Sequence, residues 1–130
     1  MNDVSLTTIS DDGFDTQSLI GDFELEIDPM EKTGPNPNAV LVADYASCFL
    51  PAVRLGARKA GEDDLGRMEI DATATLDDDD HLESIEFTLS VEADVDDPDE
   101  LVARGEEICH VHAALREELH ADVTVEADAF

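Results

Sequence analysis

The sequence predicts an α+β fold with mostly antiparallel strands wrapped around two main helices, and three observations carry that expectation. A long apolar stretch from Asn36 to Ala57 suits a central helix, and two clean alternations between Met68 and Ala93 suit a long hairpin. An acidic residue followed by proline, at Asp97-Pro98, opens a second amphipathic helix. Shorter alternating segments at both ends add further strands, and the order strands, helix, hairpin, helix, strand is that of an α+β domain. With no repeat or low-complexity linker in 130 residues, the chain reads as a single domain, 1–130.

The first 30 residues alternate apolar and polar at Val4-Ser5-Leu6-Thr7 and again at Phe23-Glu24-Leu25-Glu26-Ile27-Asp28, with turn chemistry at Asp11-Asp12-Gly13. Two or three antiparallel strands with one wet face are expected there. Pro29 ends the pattern. Gly34-Pro35-Asn36-Pro37 makes a stiff loop, and Asn36 and Pro37 suit the N-cap and first position of a helix.

Between Ala39 and Ala57 only Asp44, Ser47 and Arg54 are polar, so a helix there is apolar nearly all round and is expected to be internal. Steps of three and four place Leu41, Tyr45, Cys48, Ala52 and Leu55 on one buried stripe. The stretch approaches membrane-span length, but Asp44, Pro51 and Arg54 interrupt it, which favours a core helix over a span. Pro51 removes one backbone hydrogen bond and is expected to bend the helix after Cys48. Lys59-Ala60-Gly61 closes it with positive charge and a glycine able to take positive φ.

In the hairpin, Met68, Ile70, Ala72, Ala74 and Leu76 share one face, and Ile85, Phe87, Leu89, Val91 and Ala93 share another after the turn at Asp77-Asp78-Asp79-Asp80. Leu82 is out of phase with Ile85, which predicts a bulge near Glu83-Ser84. Asp97, Pro98 and Glu100 form an N-cap, first position and capping-box glutamate. The apolar stripe of that helix, Leu101, Ile108, Val111, Leu115 and Leu119, runs on past Cys109, and Gly105 permits close approach of another helix. Val123 to Asp128 is one more half-exposed strand.

The charge excludes several functions. With 34 acidic residues against 7 basic, the formal charge is -27, which disfavours nucleic acid and anionic membranes as partners. The acids alternate with apolar residues instead of forming a tail, so they read as adaptation to a salt-rich cytoplasm, as does the preference for Arg over Lys. The opening Met1-Asn2-Asp3-Val4-Ser5 has no basic or apolar leader character, and two cysteines do not make a disulfide scaffold, so a cytoplasmic location is expected.

Those two cysteines, Cys48 and Cys109, are the sharpest chemical feature. Helical cysteines on apolar stripes are packing residues in most proteins. A metal site needs more: only Cys109 and His112 could share an ion on one helix face, short of a four-ligand zinc site, so no metal is expected. His81 and His120 read as solvated. Tyr45 either meets a ligand through its hydroxyl or fills space with the hydroxyl tied to backbone. Asp44 marks either a wet pocket edge or the one face that meets solvent.

Asn36-Pro37 at the helix entrance, the run Ala43-Asp44-Tyr45-Ala46-Ser47-Cys48-Phe49, and Glu107-Ile108-Cys109 after 60 intervening residues together resemble the OsmC/Ohr family, the osmotically inducible and organic hydroperoxide resistance proteins. The resemblance covers nearly the whole chain. It implies an interleaved homodimer with the thiols at the interface and no cofactor. It also implies a thiol peroxidase in which Cys48 attacks a small hydroperoxide, Cys109 resolves the sulfenic acid as a disulfide, and an external dithiol reduces it. Tyr45, Phe49 and Asn38 fall where such a protein would line its substrate pocket. The chain departs from the family in three places. Asn38 stands where a glutamate is usual, no arginine precedes Cys48, and His110 follows Cys109 in place of proline. Two readings therefore stand, an organic hydroperoxide reductase and a catalytically silent member of the fold that binds a small apolar or thiol-reactive ligand at the dimer interface.

Because salt shortens the Debye length from about 10 Å at 0.1 M to about 3 Å at 1 M, self-repulsion at this charge weakens with added potassium chloride. The melting temperature followed by circular dichroism is expected to rise over that range, and a flat or falling trend would contradict it.

Overall fold

The computed structural model describes residues 3–62 and 64–130. Its elements, β1 (Thr7–Ile9), β2 (Thr16–Ile20), β3 (Phe23–Ile27), α1 (Pro37–Lys59), β4 (Met68–Leu76), β5 (Leu82–Val91), α2 (Pro98–Ile108), α3 (His110–Ala114) and β6 (Asp122–Glu126), form an α+β chain. They divide into two compact units, Met1–Leu41 and Val42–Phe130, with the boundary inside α1.

In the first unit, β1, β2 and β3 form an antiparallel meander with Thr7 opposite Leu19 and Thr16 opposite Ile27. Gly21, at φ 60°, starts the two-residue turn between β2 and β3. The first strand begins at Thr7, not at Val4 as alternation suggested, and Val4 is 91% exposed. Strand ends here follow pairing with β2, including a Thr8–Ser18 hydroxyl contact at 2.9 Å, because no residue of β1 is buried to select a phase. Asp28 ends β3. Its carboxylate accepts the Met30, Lys32 and Thr33 N–H groups and the Thr33 hydroxyl, and its own N–H donates to Pro35 C=O at 2.9 Å. Gly34 lies against Glu26, where a Cβ would sit 2.5 Å from the carbonyl oxygen. Asn36 then caps α1, its Oδ1 accepting the Ala39 N–H at 2.8 Å.

In the second unit, β5 is the central strand, antiparallel to β4 and parallel to β6. The parallel pair follows from connectivity, since the chain from β5 to β6 crosses over through α2 and α3 and returns in the same direction. The register slips at the Thr75/Leu76 end, where Thr75 faces Ser84 and Leu76 faces Leu82, leaving Glu83 as the expected bulge. Ile85, Phe87, Leu89 and Val91 are essentially inaccessible.

Against this sheet packs a stripe of α1 that differs from the expected one. Val42, Tyr45, Phe49, Ala52, Val53, Gly56 and Ala57 are buried, whereas Leu55 is 43% exposed and Cys48 is half-buried. A helix apolar on all sides gives no sequence signal for which face is innermost. Contact with β5 and α2 selects it. By length and composition α1 could cross a bilayer, but Tyr45, Phe49 and Val53 belong to the core of the second unit. The helix continues through Pro51 to Lys59. It ends in paired bonds from Gly61 N–H to Arg58 C=O and from Glu62 N–H to Ala57 C=O, with Gly61 at φ 77°.

Asp97 caps α2, accepting the Glu100 N–H at 3.1 Å. The helix does not run on past Cys109 as its apolar stripe implied. Cys109 takes extended angles (φ -68°, ψ 114°), separates α2 from α3, and leaves Leu119 to reach the core from a 3-10 turn at Glu117–Leu119. Gly105 allows the crossing of α1 and α2, since a Cβ there would lie 2.6 Å from Val53 Cγ2.

Gly105→Ala is therefore expected to cost about 1–3 kcal/mol through overpacking, read as a lowered denaturant midpoint; an unchanged midpoint would show that the helices can part at little cost. The Asp28 carboxyl is held below its ordinary value of 3.8, first by the Met30 N–H and then, against burial, by the Thr33 and Lys32 groups. Its stabilisation is complete above the unfolded value and is lost as pH falls through the depressed folded one. Amide protection at Met30, Lys32 and Thr33 should thus hold at pH 5 and collapse in strong acid, and Asp28→Asn should lower it at pH 7.

Candidate active site

The site begins with the break at Cys109. Starting a new helix there leaves the following N–H groups without intrahelical partners, and sulfur takes them. The Cys109 Sγ accepts the His112 N–H at 3.4 Å, and the Cys109 carbonyl accepts the Ala113 N–H at 3.2 Å. The next free groups, the N–H of Val111 and of His110, face the Cys48 sulfur from α1, which also meets the Cys109 thiol. Two cysteines 61 positions apart are thereby brought together as free thiols.

Their environments push them in opposite directions. Burial raises the Cys48 thiol, but the Val111 N–H, the Cys109 thiol and the His110 N–H more than offset it against a small opposing effect of Asp44, and the balance lies below the ordinary value of 9.0. At Cys109, burial raises the thiol above 9.0; the His112 N–H opposes this, and donation to Cys48 reinforces it. Cys48 is thus the more readily ionised of the two thiols, and Cys109 the more reluctant.

Tyr45 lies one turn before Cys48 on α1. Its ring, 1% exposed, rests on Phe87 at 4.8 Å and edge-on to Phe49 at 6.4 Å. The hydroxyl accepts the Ala121 N–H at 3.1 Å and lies 2.6 Å from His112 Nδ1. Burial, more than the neighbouring His120, lowers the His112 imidazole below 6.5, which favours the neutral ring at pH 7, and in the tautomer that leaves Nδ1 unprotonated the tyrosine proton satisfies both groups. Burial likewise raises the Tyr45 phenol above 10.0 despite the Ala121 bond. His120, expected to be solvated, stacks on His112 at 3.8 Å, and its Nε2 donates to the Leu115 carbonyl at 3.0 Å. Stacking removes one ring face from water, which sequence alone does not reveal.

Phe49 has no accessible surface and fills the core beneath the thiols, while Asn38 stands half-exposed in the first turn of α1. A groove of about 460 Å³ along α1 and α2, lined by Gly56, Lys59, Arg104 and Ile108 among others, does not include the thiols. No cation activates Cys48 among its described neighbours. Arg54 donates to the Gly66 carbonyl, Arg104 pairs with Glu100 and Glu62, and Arg116 donates to the Leu82 carbonyl. Among the described residues no three His, Cys, Asp or Glu side chains converge on a metal position. His112 was visible in the sequence only as Cys109's neighbour one turn on; its part beside Tyr45 depends on the helix break.

A family model described as OsmC-like protein matches residues 30–126. The chain belongs to the OsmC-like family. A protein of Haloferax volcanii is 58% identical over 132 residues, covering 100% of both chains. Among solved structures, the OsmC-like protein of Mycoplasma pneumoniae shares the fold at a TM-score of 0.82 and 17% identity, over 97% of each chain. The organic hydroperoxide resistance protein OhrB of Bacillus subtilis does so at 0.66 and 24% identity, over 97% of this chain and 98% of that one. The α+β architecture with its two sheets is thus that of OsmC-like proteins.

Proposed function

We propose that this OsmC-like protein serves in oxidative or osmotic stress by reducing organic hydroperoxides, with Cys48 as attacking thiolate and Cys109 as resolving thiol. The observation that carries the reading is the meeting of a sulfur faced by two backbone N–H groups, which lower its thiol, with a second sulfur whose thiol burial raises. The organic hydroperoxide resistance protein that shares the fold supports the substrate class.

In the first step the Cys48 thiolate attacks the terminal peroxide oxygen of ROOH. An S–O bond forms with sulfur supplying both electrons, the O–O bond breaks, and Cys48 becomes a sulfenic acid that keeps the peroxide's proton; the departing alkoxide takes a proton from water and leaves as the alcohol ROH. In the second, the Cys109 sulfur attacks the Cys48 sulfenic sulfur, and the thiol proton leaves with the hydroxyl group as water. Two thiols of an external dithiol then exchange with the disulfide and restore both cysteines. The half-buried position of Cys48, the exposed Leu55 on the same helix and the family likeness favour a homodimer that covers this side of α1. A cytoplasmic location fits a mechanism that needs reduced thiols.

Consumption of tert-butyl hydroperoxide with dihydrolipoamide or dithiothreitol at high salt tests the reading. Cys48→Ser is expected to fall to background. Cys109→Ser should still form a trappable sulfenic acid but lose the intramolecular disulfide, seen as the absence of a two-hydrogen mass loss. Equal background rates in wild type and both variants would exclude the reductase and leave the silent, ligand-binding alternative.

A further inference from the structure

α3 has only five residues and none of them is fully buried; Val111 alone packs against the core from its edge, so helix propensity does not fix its orientation and core packing holds it at one side only. Its backbone N–H groups nevertheless have to be aimed at the two sulfurs. We propose that Tyr45 is a positioning residue for the thiol pair, its hydroxyl clamping His112 of α3 to Ala121 just before β6 so that the His110 and Val111 N–H groups stay directed at Cys48.

The geometry is a two-point grip. Tyr45 and Cys48 project from one face of α1, a turn apart. The first reaches the His112 side chain at 2.6 Å and the second meets the backbone one and two residues earlier. The Ala121 N–H bond of 3.1 Å fixes the far end of the segment. Between the two points, His120 stacks on His112 and donates to the Leu115 carbonyl that ends α3, so the segment from Cys109 to Ala121 is braced against the single tyrosine oxygen. Phe87 and Phe49 hold the Tyr45 ring itself. Tyr45 touches neither sulfur through a hydrogen bond of its own; it acts through α3. The titrating and charged groups around the assembly are Asp44 on α1 and Cys109 beside Cys48, with Glu106 of α2 and His120 facing Tyr45 or His112.

The inference rests on Cys48 being the activated thiol, and its test separates the two. Peptide-resolved alkylation of Cys48 by iodoacetamide, followed against pH in the full chain at high salt, reports the thiolate directly and needs no peroxide. Tyr45→Phe and His112→Ala are each expected to slow Cys48 alkylation at pH 7 by about threefold or more, as loss of N–H donation to a charged sulfur would, and to move its midpoint to higher pH. The double variant should be no worse than the worse single one. His112→Asn, which offers an amide oxygen near the place of Nδ1, should return the profile toward wild type. Variants that lower the melting temperature but keep the wild-type alkylation profile would overturn the positioning role and leave the proposed function standing. A wild-type Cys48 that titrates as an ordinary thiol would overturn both. Should Tyr45→Phe fail to fold, His112→Ala, at a half-exposed position, supplies the same comparison.

Discussion

Backbone N–H groups without helical partners are the constraint around which this protein is organised. Stopping α2 at Cys109 frees several of them at once, and leaving even one such group buried and unpaired costs about 1–3 kcal/mol. The Cys109 sulfur takes one and the Cys48 sulfur is faced by two more. A thiolate is a better acceptor than a thiol. The need of the amides and the ionisation of Cys48 therefore favour each other, and a local folding requirement bears on a chemical property.

The rest of the second unit keeps that meeting in place. Gly105 lets α2 close on Val53 and Phe49 of α1, so the end of α2 is carried to the level of Cys48. Phe49, Phe87 and Tyr45 form an aromatic bed beneath the thiols, and β5 supplies the wall behind it. From that bed only the tyrosine has a polar tip, and the tip is spent on α3 and β6. The order of dependence runs from small residues at a helix crossing, through ring packing, to the direction of a few amides.

This arrangement also explains how a thiol can be activated in a chain so short of cations. Arg54, Arg67, Arg104 and Arg116 lie on carboxylates and carbonyls, and with a net charge of -27 a lone cation near the site would face strong competition from surrounding acids. Hydrogen bonds from backbone amides act only at contact distance and are little affected by salt screening, unlike ion pairs between exposed groups. Asn38 and the absent upstream arginine, which set this sequence apart from the family pattern, are thus compatible with a lowered Cys48 thiol.

Periodicity and turn chemistry by themselves determined the α+β class, the hairpin with its bulge at Glu83, the Asn36 and Asp97 caps and the Gly61 stop, because each is set by neighbours a few residues away. The two cysteines were legible as candidates for the same reason that any rare nucleophile is. What only the tertiary structure decided was the face of α1 that turns inward, the end of α2 at Cys109, and the union of Tyr45, His112 and His120. An all-round apolar helix has no preferred side until β5 and α2 provide one. A helix whose stripe runs from Leu101 to Leu119 shows no local reason to stop at Cys109, and the compensation for stopping comes from a sulfur 61 positions earlier in the chain.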